Sequence, residues 1–172
     1  TEVSLWPVQF SSRTADLAQR VQRVNMFLIL FMAGADGQVR YDWQTRSGTG
    51  GWELLDFKDE DIDRLIKSTA ALLTAGRIEP GEYQFISAPG VSGTICHESF
   101  GHGVETDMFL KERAQAARFI DRRVGSDLVN SGDDPSQPGS FGSYFFDDEG
   151  QISDPTVIVE NGLFRRGITD KF

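Results

Sequence analysis

Hydrophobic and polar positions follow two different periods along this chain. Residues 13–24 (RTADLAQRVQRV) place Leu17, Val21 and Val24 at helical spacing behind Thr14, a side chain able to cap a helix, and predict a first helix. The apolar run Met26 to Ala33 comes next. It is followed by Gly34-Ala35-Asp36-Gly37 and the alternating Val39-Arg40-Tyr41-Asp42-Trp43, which together predict a β-hairpin with a buried first strand. Ser47-Gly48-Thr49-Gly50-Gly51 reads as a flexible loop and lacks the G-x-G-x-x-G spacing of a dinucleotide site.

A second helix is better defined. Asp59, Glu60 and Asp61 sit where the helix dipole favours negative charge, Ile62, Leu65, Ile66, Thr69 and Leu73 form one face, and Gly76 supplies a stop. Residues 82–86 (EYQFI) alternate as a strand up to Pro89-Gly90, so the next segment is entered as strand, turn and helix. Residues 106–124 are helix-prone and rich in charge, and 132–139 form a loop by composition. Tyr144-Phe145-Phe146 and residues 155–160 read as strands, and Asn161-Gly162 is the strongest two-residue hairpin signal in the chain. The fold class expected is α+β, a mixed or antiparallel sheet with packed helices.

Composition narrows the function. A net charge of −9 and a pI near 4.7 argue against direct nucleic-acid binding, which needs a basic face. No apolar run approaches the ~20 residues of a membrane helix. A single cysteine excludes an internal disulfide framework and suits a reducing, cytoplasmic setting. Neither end reads as a natural terminus, so the 172 residues are expected to be one α+β domain cut from a longer protein. Residues 1–47 would be its divergent or truncated N-terminal part and 48–172 its motif-bearing core.

Both histidines and the cysteine fall within Cys96-His97-Glu98-Ser99-Phe100-Gly101-His102. Neutral imidazole is a good zinc ligand, and a neighbouring carboxylate can accept a proton from metal-bound water. In H-E-x-x-H the histidines are four apart and share a helix face. Here they are five apart, about 140° around an ideal α-helix. One π-type turn would reduce that to roughly 50°, and Gly101 and Gly103 leave the backbone weakly committed to α geometry. Cys96, adjacent to His97, would point about 100° away and is expected to be a small buried residue. A pair of core histidines remains the alternative to a metal site on these residues alone.

Other constellations carry less. Asp147-Asp148-Glu149 lacks the spacing of a calcium loop and reads as a charged turn. Ser92 is not a nucleophile elbow, because G-x-S-x-G fails at Thr94.

Several stretches together resemble the TldD/PmbA family, called modulators of DNA gyrase and described as zinc metallopeptidases. They are Gly81-Glu82-Tyr83 with Ala88 to Gly93, Cys96 to Asp107 with its H-E-x-x-x-H, Phe146 to Gly150, Val159 to Leu163, and Thr169-Asp170-Lys171. The resemblance implies a peptidase whose zinc is held by His97, His102 and a cysteine, with Glu98 as general base on the metal-activated water. That cysteine would lie downstream of this chain, so zinc is expected in the full-length protein and weak or absent in these residues alone. Glu105 and Asp107 are candidates for orienting the histidines. The expected partners are a peptide substrate and a second family member, as a homo- or heterodimer. A non-catalytic regulatory subunit, or a metal-binding scaffold retaining the fold, are the alternative functions.

Overall fold

A computed structural model describes residues 1–170. They form an α+β structure with two antiparallel three-stranded sheets, as the sequence predicts. The chain divides into two compact units, residues 1–81 with 137–144, and residues 82–136 with 145–172.

The first unit is a meander of β1 (Glu2–Ser11), β2 (Asp16–Ala33) and β3 (Val39–Thr49), in the order β1-β2-β3. The hairpin expected at 26–43 is present, in register from Ala33↔Val39 to Arg23↔Thr49. Its first strand is not buried, since Phe27, Ile29 and Phe31 are exposed, and residues 47–49 of the expected loop continue β3. The helix expected at 13–24 is absent. Residues 16–24 are instead the first half of β2, with Val21 opposite Trp6 and Leu17 opposite Phe10. Thr14 caps nothing. Instead the Ser12 hydroxyl accepts hydrogen bonds from the N–H groups of Thr14 and Ala15, at 3.2 and 3.1 Å, and turns the chain from β1 into β2. Pairing along the whole length of β1 outweighs a weak local helical spacing.

Helix α1 (Asp59–Leu72) covers one face of this sheet. Alternate residues of β3 reach it: Gln44 Nε2 donates to the Asp61 carbonyl at 2.8 Å, Arg46 pairs with the Asp61 carboxylate, and the Ser68 hydroxyl donates to Asp42. Leu65 and Thr69 are buried there, as the periodicity predicts, while Ile62 and Ile66, expected on the same face, are exposed.

The second unit is less regular. Residues 82–86 form no strand, and Tyr83, Phe85 and Ile86 are exposed. Alternation in sequence makes a strand only where a neighbouring edge accepts its hydrogen bonds, and the described residues offer none here. Beyond this segment come α2 (Pro89–Cys96), a π turn (His97–Gly101), a 3₁₀ turn (His102–Val104) and α3 (Thr106–Leu110). The helix-prone stretch 106–124 thus yields only α3 and a 3₁₀ turn at Gln115–Phe119. The small sheet is β4 (Ser131–Asp133), β5 (Thr156–Glu160) and β6 (Leu163–Phe164), in that order. Phe146 makes only a bridge to Ile152 rather than a strand. Asn161 and Gly162 both have positive φ, 47° and 76°, the geometry of a type I′ hairpin turn. A side chain at Gly162 would also collide with the carbonyl oxygens of Gly125 and Ser126.

The core of this unit is Val104, Ile158, Val159 and Phe164, joined by Phe100, Phe109, Ala116, Val124 and Ile168. Two of these come from the motif segment itself. No helix of the described residues is long and apolar enough to cross a membrane.

Candidate metal centre

Proline at the start of α2 needs no N–H partner there and fixes a helix-compatible φ, so the helix begins at Pro89. Its regular turns end at Cys96, and the next five residues form the π turn that the histidine spacing calls for. The sequence then buries one flank of this segment. Phe100 packs 6.2 Å from the Phe164 ring, and Val104 has no solvent exposure. Those anchors leave His97, Glu98 and His102 on the exposed side.

The result is a compact donor set. His97 Nε2 and His102 Nε2 are 3.2 Å apart, with the rings edge-to-face at 4.5 Å. Ligand atoms of His97, Glu98 and His102 all lie within 4.8 Å of one another. Two nitrogens bound to tetrahedral zinc at about 2.0–2.1 Å would be about 3.3 Å apart. The observed separation therefore fits a shared metal.

Gly101 matters for a reason the sequence hides. A Cβ at this position would lie 2.6 Å from His97 Nδ1, so the glycine lets the imidazole lie against the backbone one π turn on. Gly103 has nothing within 4 Å of its Cβ direction. The two flanking glycines look equivalent in sequence and are not.

Glu105 and Asp107 also diverge. The Glu105 backbone is fixed by a bridge to Ile168, where the Thr106 N–H donates to the Ile168 carbonyl and the Ile168 N–H to the Val104 carbonyl, both at 2.9 Å. Its Oε1 lies 3.4 Å from His102 Nδ1. A carboxylate at Nδ1 favours the tautomer that keeps Nε2 free for a metal. Asp107 instead pairs with Lys111 at 2.7 Å. That hydrogen bond holds the Asp107 carboxyl below its ordinary range and raises the Lys111 ammonium above its own.

Cys96 is half-buried rather than buried, and its Sγ lies 2.8 Å from the Ser131 hydroxyl on β4. Its thiol is thus directed to the small sheet and not to the histidines. Sequence reading did not single out Ser131 or its neighbour Asp133. Nothing in a Ser-Gly-Asp tripeptide marks it as lying beside a motif 35 residues earlier.

Residues 80–172 match the family model described as the PmbA/TldA metallopeptidase C-terminal domain. A metalloprotease of Methanothermobacter thermautotrophicus is 33% identical over 145 residues, which is 82% of this chain and 31% of that protein. A zinc metalloprotease TldD homolog of Saccharolobus solfataricus is 34% identical over 93 residues, 54% of this chain and 20% of that protein. The chain thus spans a third or less of the length of these relatives. Among solved structures, a candidate modulator of DNA gyrase from Bacteroides thetaiotaomicron superposes with a TM-score of 0.77 at 13% identity. That likeness covers 91% of this chain and 35% of the other, and shows a shared fold.

Proposed function

This chain belongs to the PmbA/TldD metallopeptidase family, and on that premise we propose that it carries the metal-holding and proton-transferring residues of a zinc-dependent peptidase. The observation that carries the reading is the 3.2 Å approach of two imidazole Nε2 atoms with the Glu98 carboxylate beside them.

His97 and His102 would hold the metal through Nε2, and Glu105 would keep the His102 ring in place through Nδ1. Zinc bound there supplies a Lewis acid and lowers the pKa of water toward neutrality. Glu98 is the base: it takes a proton from the attacking water and returns it to the leaving amine nitrogen. A catalytic zinc takes three protein ligands. Cys96 is engaged by Ser131, and the family resemblance implies that the third is a cysteine elsewhere in the native-length protein. A reducing, cytoplasmic setting fits the single unpaired thiol.

The test is Glu98→Gln in the native-length protein. Cleavage of an unstructured peptide should fall by about 10²–10⁴-fold, the usual worth of a positioned base, while zinc content stays at the wild-type value. Cleavage at the wild-type rate would refute the role given to Glu98.

A further inference from the structure

Beside the histidines lies a cavity of about 220 Å³, lined by residues of α2, the π turn, β4, β5 and Ile168. It is smaller than the ~300–1,000 Å³ of pockets built for whole small molecules. A single side chain is the appropriate size for it. Because His97 forms part of the wall, whatever enters is held next to the centre proposed above.

The polar side chains of the lining can be accounted for one by one. The Cys96 thiol and the Ser131 hydroxyl satisfy each other at 2.8 Å. His97 Nε2 faces His102. The carboxylate of Asp133, the last residue of β4, has no hydrogen bond or ion pair among the described residues, and the residue is exposed. The lining contains no Lys or Arg to neutralise it. The apolar side chains of the lining are Phe100, Ile158 and Ile168.

A cavity whose lining combines apolar side chains with one exposed, unpaired carboxylate is complementary to one kind of side chain, an aliphatic stem carrying a cation. Lysine and arginine bury such stems against apolar surface and present the charge at the end. An uncharged side chain would gain no attraction from the carboxylate, and an acidic one would face like charge. The net charge of −9 acts in the same direction, because it draws basic peptides toward the protein. We propose that this cavity is a side-chain subsite selecting peptides with a lysine or arginine near the scissile bond, and that Asp133 is its specificity-determining residue. This rests on the peptidase reading given above.

The experiment compares otherwise identical peptides carrying Lys, norleucine or Glu at each position flanking one cleavable bond, using the native-length, zinc-loaded protein. At one position, kcat/KM should favour Lys over norleucine by about tenfold, the worth of one charge-assisted hydrogen bond. Asp133→Asn should bring that ratio to about one, and Asp133→Lys should shift the preference to the Glu peptide. A Lys-to-norleucine ratio that is the same in wild type and both variants overturns the proposal while leaving the peptidase intact. A second arm needs no turnover: binding of the same labelled peptides to Glu98→Gln, followed by fluorescence anisotropy. If no peptide is cleaved by wild type, the peptidase reading fails. The subsite then stands if anisotropy still favours Lys in an Asp133-dependent way, and falls if it does not.

Discussion

The sheet of the first unit and the motif segment of the second use their residues in opposite ways. Between β2 and β3, eleven consecutive residue pairs stay in antiparallel register without a bulge. Between Pro89 and Val104 the chain passes from α to π to 3₁₀ geometry in sixteen residues. A constant period distributes side chains evenly and cannot bring residues five apart onto one face of an α-helix. A local change of period can. Regularity here serves to build a layer, and irregularity serves to make a donor set.

That contrast can be broken by substitutions of different kinds. In the regular unit, Leu65 is only 3% exposed beneath the sheet. Leu65→Ala should lower the unfolding free energy by about 2–5 kcal/mol, read by urea denaturation, with zinc stoichiometry of the folded protein unchanged. Loss of zinc in step with stability would show that the two regions are not divided in this way.

In the motif segment the decisive pair is glycine against glycine. Gly101→Ala pushes a methyl group against the His97 ring and should weaken zinc binding by about 10–100-fold, the range seen when ligand orientation is disturbed. Gly103→Ala meets open space and should leave zinc affinity at the wild-type value. Equal effects from the two, measured by chelator competition, would contradict the role given to the π turn.

The smallest effect concerns acid. The Asp61 carboxyl is held below its ordinary range, chiefly by the Lys58 N–H at 3.2 Å and also by Arg46 and Arg64. A depressed carboxylate pKa stabilises the folded state above the unfolded value of about 3.9. That stabilisation is lost as pH falls through the lowered folded value. Asp61→Asn should therefore lower the melting temperature at pH 7 and flatten its fall between neutral pH and about pH 3. An unchanged acid profile would remove Asp61 from the account.

What the sequence revealed divides along the same line. The hairpin around Gly34-Gly37, helix α1 and the Asn161-Gly162 turn are local patterns that decide their own geometry. Residues 16–24 misled because Leu17, Val21 and Val24 suit a helix spacing, while their actual partner, β1, is specified only by long-range pairing. Residues 82–86 misled in the opposite sense, having a strand pattern with no ladder to join. At the site, the spacing of His97 and His102 together with Gly101 made a π turn legible. The divergent fates of Glu105 and Asp107 were not, since they depend on Ile168 and Lys111 respectively. Asp133 was invisible for the same reason, because only the folded chain carries β4 to the histidine segment.

The central claim is that the π turn gives one zinc ion two imidazole ligands. X-ray absorption at the zinc edge of the native-length protein tests it most directly, with His102→Ala as the reference. Two imidazole nitrogens at about 2.0–2.1 Å should appear in the wild type and one in the variant. A wild-type zinc shell with fewer than two imidazoles, or one unaltered by the loss of His102, would contradict it.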